Sequence, residues 1–386
     1  MGFFIGRDRK GRRCYGFDEI ALAPGDVTID PDDVDIGWQL GGKRIDVPII
    51  AAAMDGVVDT KFAIAMGKMG GLAVLNLEGV QARYENPDEI FVKIAEASPE
   101  EATHLVQDIY KEPIKEELIS IRIEEIKSAG VPAIVSAIPQ RAERFGKIAE
   151  EAGVDFFVVQ STVTTVKHIS SHSETLDFTK LCKEMSVPII VGNTCSYEVT
   201  LQLMETGIDA LLVGIGPGAA CTTRGVLGIG VPQVTATVDC ASARDFYYTQ
   251  SGRYVPIITD GGMSIGGDIC KAFACGADAV MVGSAFARAE EAPGRGYHWG
   301  MATPHANLPR GTRIKVGTMG TLEQILYGPA ELDDGSQNLM GALRTSMGNV
   351  GAKNIKEMQL TKIIVAPAFQ TEGKVFQKAQ RVGMGK

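Results

Sequence analysis

Short runs of apolar residues alternate with amphipathic stretches along most of the chain. Eight of these runs are nearly unbroken in apolar and often β-branched residues: 48–54, 72–77, 132–138, 156–161, 188–193, 210–216, 255–260 and 279–284. Such runs are typical of parallel strands that are covered on both faces, because each face then packs against the core. The pattern therefore predicts eight parallel strands.

Helical patterns lie between these runs. Apolar residues recur at helical intervals over six stretches: 61–69, 141–152, 175–185, 197–206, 233–249 and 265–275. Gly153, Gly207 and Gly276 each follow one of these stretches and precede an apolar residue and an aspartate. Because glycine readily adopts the left-handed conformation that ends a helix, these three positions predict helix ends.

The repeated strand and helix units predict an α/β fold. A chain of 386 residues is long enough for a (β/α)8 TIM barrel with loop insertions. A doubly wound open sheet is the alternative, and eight regularly spaced units favour the closed barrel. We therefore predict a single catalytic domain over residues 1–386, with its chemistry at the carboxyl ends of the strands.

Two segments lie outside this rhythm. Residues 78–127 are long and rich in charge, and they predict helices between the second and third strands. Residues 294–319, called the flap below, are rich in Gly, Pro and Arg and show no clear period. A long loop after the eighth strand predicts a mobile flap over the active site, and an inert surface loop is the alternative.

Composition and charge narrow the class of partner. The formal net charge is −9, and the longest cationic feature is the stretch 7–13, so we expect no nucleic-acid partner. No apolar stretch approaches the length of a membrane span, and no signal peptide is evident. The seven cysteines form no C-x-x-C pair, which argues against a disulfide framework or a zinc site. These features predict a cytoplasmic protein, with a compact anionic metabolite as the remaining kind of ligand.

The most informative segment is 214–224, which follows the sixth run. Three glycines precede Cys221 there, so the backbone can curl tightly at the predicted barrel mouth. Such a loop can hold an anion or offer carbonyl oxygens to a monovalent cation, and a thiol placed in it can attack an electrophilic carbon. A lone cysteine is more often structural, and the Gly-rich loop is what favours a catalytic Cys221.

Two further strand ends carry residues suited to a nucleotide. Asp260 precedes two glycines, including Gly262, and its carboxylate can accept hydrogen bonds from a ribose diol. Gly283 and Ser284 follow the eighth run, where TIM barrels often bind phosphate. A plain turn or helix cap is the alternative at Asp260. The chain has no GxGxxG or Walker A motif, so the loops together suggest a nucleoside monophosphate.

These motifs together resemble the IMP dehydrogenase/GMP reductase family over nearly the whole chain. The segments that carry the resemblance are the Cys221 loop, Asp260-Gly-Gly262, Gly276-Ala-Asp-Ala-Val-Met-Val-Gly-Ser284, Gly351-Ala-Lys-Asn354, Tyr15-Gly-Phe-Asp-Glu-Ile20 and Gly230-Val-Pro-Gln233. The family's usual pair of CBS domains is missing, and residues 78–127 stand in its place. The chain is therefore similar to the short, CBS-less branch related to IMP dehydrogenase.

The resemblance implies an activity. Cys221 would attack C2 of IMP, hydride would pass to NAD, and hydrolysis of the thioimidate would give XMP. Thr223 matches a threonine that handles water or ammonia. The resemblance also implies a homotetramer or a larger homo-oligomer.

It also implies binding roles at matching positions. The substrate-binding positions are Met54, Gly218, Ala219, Asp260, Gly262, Gly283, Ser284, His298, Gly300 and Met301. The cofactor-binding positions are Gln160, Ser161, Asn193, Gly214 and Gly216. The carbonyl oxygens of Gly216, Gly218 and Cys221 would bind potassium.

The chain departs from the family at several of these positions. Ala52 and Ala219 replace serines, Gln160 replaces an aspartate, and His298 replaces a tyrosine. The flap lacks the Arg-Tyr pair that activates water in the dehydrogenase, which leaves Arg310 and Arg313 as candidate catalytic residues. IMP dehydrogenase is the leading hypothesis, because the segment 346–354 is closer to dehydrogenases than to reductases. GMP reductase and a catalytically inactive nucleotide-binding regulator are the alternatives.

Overall fold

The computed structural model describes residues 2–171, 175–301, 313–365 and 380. Its centre is a closed barrel of eight parallel strands: β1 Ile49–Ala51, β2 Leu72–Asn76, β3 Ile134–Ala137, β4 Phe156–Gln160, β5 Ile189–Thr194, β6 Ala210–Val213, β7 Ile257–Asp260 and β8 Ala279–Val282. β8 pairs with β1, with Val280 opposite Ile49, and this pairing closes the barrel. The predicted (β/α)8 TIM barrel is confirmed, and the open sheet is excluded.

The strands are mostly shorter than the apolar runs that predicted them. The run 210–216 is extended only to Val213, because Gly214 and Gly216 take φ values of 145° and 76°. Such angles belong to the left-handed region that favours glycine, and they turn the chain out of the sheet. β5 is the exception, since it continues one residue beyond the run, to Thr194.

The described residues form thirteen α-helices. They are α1 Thr60–Lys68, α2 Pro87–Glu96, α3 Pro99–Ile109, α4 Glu116–Ser128, α5 Ala142–Glu151, α6 Phe178–Glu184, α7 Tyr197–Glu205, α8 Thr223–Leu227, α9 Gln233–Ser251, α10 Gly266–Ala274, α11 Leu322–Tyr327, α12 Leu339–Val350 and α13 Ile355–Met358. All six helices predicted between the strands are present. α6 begins three residues later than predicted because the Asp177 side chain accepts the Lys180 N–H and caps the helix there.

Both faces of the strands are buried, as the unbroken apolar runs require. One cluster combines alternate strand residues such as Ile50, Val158 and Met281 with Trp38 and Leu40 of the hairpin Trp38–Leu40/Lys43–Ile45. The intervening strand residues pack with the surrounding helices in a larger cluster. The first cluster therefore fills the barrel, and the second joins the barrel to its helical layer.

The segment 78–127 is helical, as predicted. It contains the short turn Val80–Ala82, α2, α3 and most of α4. Apolar residues of the turn, α2 and α3 form a small separate core with Trp299 of the flap. Among the described residues, none of the helices combines the length and the apolar character that a membrane crossing requires.

A buried ionic cluster joins the amino-terminal ends of β7 and β8. Asp278 accepts hydrogen bonds from Arg244 Nη1 at 2.9 Å, Tyr254 Oη at 2.7 Å and the Ile257 N–H at 2.9 Å. Lys356 Nζ donates to Asp278 Oδ1, the oxygen that also accepts from Tyr254, at 2.5 Å. Burial alone would raise the pKa of Asp278, but the charges of Arg244 and Lys356 outweigh it and hold that pKa below its usual value. This cluster lies at the end of the barrel opposite the carboxyl ends of the strands.

Candidate active site

The loop after β6 packs closely against the end of β7. A Cβ added to Gly214 would lie 2.3 Å from the carbonyl oxygen of Asp260, so only glycine permits this approach. Gln233, at the start of α9, supports the loop from below. Its Nε2 donates to the carbonyl oxygens of Val213 at 2.7 Å and Asp260 at 3.1 Å. The side chain of Gln233 thus links the ends of two barrel strands beneath the Cys221 loop.

Cys221 is presented at the mouth of the barrel. Its side chain is exposed, and its Sγ lies 3.2 Å from Oγ1 of Thr223, which is only 3% exposed. The Cys221 N–H donates to the carbonyl oxygen of Gly218 at 3.0 Å and closes the loop on itself. The structure therefore brings together the thiol and the hydroxyl that the sequence singled out, in a loop whose glycines leave room for a ligand.

The other six cysteines lie elsewhere in the fold, and all seven are among the described residues. None of the six is exposed. Burial raises the pKa of five thiols: Cys182 and Cys270 to about 11, Cys240 and Cys275 to about 12, and Cys195 as well. A thiol with a raised pKa is a poor nucleophile near neutral pH. Cys221 is thus the cysteine that both exposure and position favour for attack on a substrate.

Three strand ends meet in a polar cluster around Asp260. Asn193 Nδ2 donates to Asp260 Oδ2 at 2.7 Å, and Gln160 Nε2 donates to the same oxygen at 3.1 Å. Gln160 Nε2 also donates to Asn193 Oδ1 at 2.9 Å. Burial raises the pKa of Asp260 to about 6, and the two amides offset only part of that effect because neither carries a charge. The cluster therefore holds a carboxylate that titrates close to neutral pH.

We expect replacement of Asp260 by asparagine to stabilise the fold at alkaline pH. Because the folded-state pKa lies above the unfolded value, ionisation of Asp260 opposes folding increasingly between about pH 4 and pH 6 and fully above that. Asp260→Asn should raise the free energy of unfolding by about 2 kcal/mol at pH 8 and leave it nearly unchanged at pH 4. Urea denaturation at both pH values measures the difference. A variant that is less stable than the wild type at pH 8 would contradict the prediction.

The loop after β8 brings a third group of predicted residues together. Ser284 Oγ lies 3.5 Å from Nε2 of His298, which is 1% exposed. A Cβ added to Gly283 would lie 2.9 Å from Sδ of Met54, so these two residues are in close contact. Burial and the charge of Arg288 lower the pKa of His298, which favours the neutral imidazole. Its Nδ1 is buried and has no hydrogen-bond partner among the residues that the structure describes.

Other contacts connect these loops to the Cys221 loop. A Cβ on Gly262 would lie 3.1 Å from Cβ of Pro217, and a Cβ on Gly300 would lie 3.3 Å from the carbonyl oxygen of Ala220. The glycine after β7 and the first part of the flap therefore both pack against the loop of Gly218, Ala219 and Cys221. On the other side, Ser161 follows β4, and its Oγ lies 2.9 Å from Thr164 Oγ1. The hydroxyl of Ser161 thus bonds within its own loop, one residue after Gln160 of the polar cluster.

The structure describes the surroundings of only one of the two flap arginines, and a catalytic role for either stays a prediction. Arg310 lies outside the described residues. Arg313 donates from Nη1 to the carbonyl oxygens of Ile94 and Ala95 and from Nη2 to that of Ala97. The guanidinium of Arg313 is therefore bound at the end of α2, and its catalytic role stays a prediction.

Sequence reasoning assigned no role to several residues that shape this site. Gln233 belongs to one of the motifs that carry the resemblance. A polar residue at the start of a predicted helix was the signal in the sequence that could have indicated its supporting role. Tyr110 and Trp299, which contact each other across 189 positions of the chain, gave no local signal. Such contacts depend on the packing of the flap against residues 78–127.

Comparison with known proteins shows the family of the chain. The profile of the family described as "IMP dehydrogenase / GMP reductase domain" matches residues 14–375. An uncharacterised oxidoreductase from Mycolicibacterium smegmatis is 37% identical over 94% of this chain and 99% of its own length. The inosine-5'-monophosphate dehydrogenase of Cryptosporidium parvum is 30% identical over 89% of each chain.

A solved structure shows the same architecture. The crystal structure of an IMP dehydrogenase/GMP reductase-like protein from Corynebacterium glutamicum superposes with a TM-score of 0.89 at 35% sequence identity, covering 94% of this chain and 97% of that one. The profile match spans most of the chain, and no CBS domain accompanies it. The chain therefore belongs to the IMP dehydrogenase/GMP reductase family of oxidoreductases.

Proposed function

We propose that this protein is an IMP dehydrogenase, which oxidises IMP to XMP with NAD. The observation that carries the proposal is the exposed Cys221 thiol 3.2 Å from the hydroxyl of Thr223, at a barrel mouth that also holds Asp260 and Ser284. A nucleophile, a neighbouring hydroxyl and polar groups for a sugar and a phosphate are what covalent chemistry on a purine nucleotide requires.

The proposed reaction has two stages. Cys221 Sγ forms a bond to C2 of the purine while the hydrogen on C2 leaves as hydride. Bound NAD would supply the acceptor for that hydride and would leave as NADH. Water then adds to C2, the C–S bond breaks, the thiol of Cys221 is regenerated, and XMP is released with one proton to solvent. We propose that Thr223 orients this water, because its hydroxyl lies next to Sγ.

The nucleotide would bind across the three loops described above. Asp260 would accept hydrogen bonds from the hydroxyls of the ribose, held in place by Asn193 and Gln160. Gly283, Ser284 and His298 would hold the phosphate, and the unpartnered Nδ1 of buried His298 supports a polar ligand there. The base would lie against the remaining substrate-binding positions: Met54, Gly218, Ala219, Gly262, Gly300 and Met301.

The polar side of the barrel mouth fits NAD. The amides of Gln160 and Asn193 meet at the ends of β4 and β5, and Ser161 follows β4 with a hydroxyl bonded to Thr164. These three residues would bind the polar groups of a dinucleotide. Gly214 and Gly216 leave the neighbouring loop without side chains, so the cofactor can approach its backbone closely. These five residues are the proposed cofactor site.

Potassium would bind the carbonyl oxygens of Gly216, Gly218 and Cys221. The carbonyl of Gly218 already accepts the Cys221 N–H, and a carbonyl oxygen has a second lone pair to offer a cation. We expect turnover in potassium to exceed turnover in sodium by about tenfold at equal ionic strength, because the ion would order the Cys221 loop. Initial rates in the two chlorides measure the effect, with the melting temperature in each salt as the control. Equal rates would contradict a potassium site.

The function itself is tested with purified protein, IMP, NAD and potassium. Formation of NADH, followed by absorbance, together with XMP identified by chromatography, would support the dehydrogenase. If ammonia is released and NADPH is consumed with GMP instead, the protein is a GMP reductase. A third outcome is that the protein binds IMP but turns over neither IMP with NAD nor GMP with NADPH. If Cys221→Ala then binds IMP with the same affinity, the protein is a regulator that has lost catalysis. The same proposal includes a homotetramer and a cytoplasmic location. Light scattering measures the number of subunits in the assembly.

A further inference from the structure

Both described ends of the flap are held by the helical segment 78–127. On either side of residues 302–312, the strands Tyr297–His298 and Ile314–Lys315 pair with each other. Next to the first strand, Trp299 is fully buried in a cluster with apolar residues of the turn Val80–Ala82, α2 and α3. The ring centroids of Trp299 and Phe91 are 6.5 Å apart. The first part of the flap therefore packs into an apolar core that residues 78–127 provide.

A hydrogen-bonded chain fixes Trp299 within that core. Trp299 Nε1 donates to Tyr110 Oη at 2.8 Å, and Tyr110 in turn donates to Oδ2 of buried Asp55. Asp55 Oδ2 also accepts the Val80 N–H at 2.7 Å. Sδ of Met301 lies 3.4 Å from the same tyrosine hydroxyl. Tyr110 thus contacts the residues on both sides of Gly300.

Arg313 fixes the other end of the flap. Its guanidinium binds carbonyl oxygens at the carboxyl end of α2, at 3.1 Å for Ala95 and 2.9 Å for Ala97. A cation is favourable there because the last carbonyls of a helix carry partial negative charge. The same guanidinium stacks over the ring of Tyr297, 4.1 Å from its centroid. Arg313 therefore joins α2 to both paired strands of the flap.

Gly300 connects the contacts of Tyr110 and Arg313 with the candidate active site. A Cβ on this residue would lie 3.3 Å from the carbonyl oxygen of Ala220, next to Cys221. Its neighbour Trp299 is directed into the helical core, so the position of Gly300 against the Cys221 loop depends on how Trp299 is seated. A displacement of about 1 Å at a reacting centre can reduce turnover by about 100-fold.

We propose that Tyr110 and Arg313 are positioning residues, which set the placement of Gly300 and Met301 against the Cys221 loop from the segment 78–127. The kinetic part of this inference rests on the proposed function. The anchoring itself concerns only contacts within the chain, and it can be measured without any substrate.

Tyr110→Phe is the direct test, because it removes one hydroxyl and keeps the ring. Tyr84→Phe is the matched control: Tyr84 belongs to the same apolar cluster, and its hydroxyl donates to the carbonyl oxygen of Ile109 at 2.9 Å. The chain has two tryptophans, so a Trp38→Phe background makes Trp299 the sole indole reporter. We expect Tyr110→Phe to shift the emission of Trp299 and increase its quenching by acrylamide, and Tyr84→Phe to change neither.

Turnover should also distinguish Tyr110→Phe from its control Tyr84→Phe. We expect Tyr110→Phe to lower kcat about tenfold while KM for IMP changes less than threefold, because the binding groups at Asp260 and Ser284 are untouched. Arg313→Ala should lower kcat similarly, and Arg313→Lys should restore part of it by keeping a cation at the end of α2. Tyr84→Phe should retain the wild-type kcat. Thermal melting of each variant shows that it is folded.

Some outcomes would overturn the inference. If Tyr110→Phe leaves the Trp299 emission unchanged, or lowers kcat no more than Tyr84→Phe, Tyr110 does not position the flap. If Tyr110→Phe fails to fold, Arg313→Ala carries the test, and wild-type kcat in that variant rejects the proposal. If the wild type turns over neither IMP nor GMP, the proposed function fails, while the fluorescence comparison still decides whether the anchor exists.

Discussion

Replacement of Cys221 by serine is expected to reduce turnover of IMP by at least about 10³-fold while the affinity for IMP changes less than about threefold. A serine hydroxyl loses its proton far less readily than a thiol, so the covalent bond to the purine forms much more slowly. The nucleotide would still contact Asp260, Ser284 and the glycines of the three loops, none of which this change touches. The loss should therefore appear in kcat rather than in KM. Stopped-flow measurement of NADH formation and calorimetric titration with IMP give the two quantities.

The control for this prediction is Cys182→Ser. Cys182 lies on α6, and burial raises the pKa of its thiol to about 11. We expect this variant to keep its activity, because the thiol takes no part in the site. Acid quenching of the wild type during turnover should also trap a purine adduct on Cys221, which mass spectrometry detects. Wild-type turnover in Cys221→Ser would exclude the covalent mechanism.

Replacement of Asp278 by alanine is expected to lower the free energy of unfolding by about 3–5 kcal/mol at pH 7. The change leaves Nη1 of the buried Arg244 without a carboxylate, while Nε keeps its bond to Asp245. It also removes an acceptor from Tyr254 and from the Ile257 N–H. Because the folded-state pKa of Asp278 is lowered, its contribution is present above the unfolded pKa near 4 and is lost as pH falls below it. The gap between wild type and variant should therefore narrow in acid.

Asp108→Ala serves as the comparison for Asp278→Ala. Asp108 pairs with Lys111 on an exposed face of the protein, at 2.6 Å. Exposed pairs of this kind contribute little to stability, since water and salt screen them. Urea unfolding of the wild type and both variants at pH 7 and at pH values well below about 4 measures the contrast. A loss in Asp278→Ala no larger than that in Asp108→Ala would show that the buried cluster does not stabilise the fold.

Asp260 and Asp278 show how two aspartates in one barrel are used differently. Asp260 is surrounded by neutral amides, so burial dominates and its pKa rises to about 6. Asp278 faces Arg244 and Lys356, so its pKa falls despite deeper burial. The first lies at the carboxyl ends of the strands, where barrels carry out chemistry, and the second at the amino ends, where they are held together.

The sequence predicted the barrel because its strands are buried on both faces. An inner and an outer apolar layer require residues such as Ile257 and Ile258 to be apolar in succession, and this produces the unbroken runs. The ends of the strands were less predictable. Apolar loop residues such as Ile215 extend a run past the point at which a glycine turns the chain out of the sheet.

The candidate site was predictable where it consists of loops at strand ends. Asp260 ends β7, Ser284 lies just after β8, and Cys221 lies in the loop after β6, so the fold brings the three to one rim. Arg313 was not predictable in this way, because its partners are carbonyl oxygens of α2, more than 200 positions earlier in the chain. Backbone acceptors carry no signature in the sequence, and an arginine in a flap therefore looked catalytic.

The pairing of β8 with β1 has a consequence for biosynthesis. The partners Ile49 and Val280 are separated by about 230 residues, which a ribosome needs roughly 10–50 s to polymerise at about 5–20 residues per second. Until β8 emerges, β1 has an unpaired edge that can join other chains. The nascent protein must therefore be protected from aggregation for most of its synthesis, and a fragment that stops before β8 cannot close its sheet.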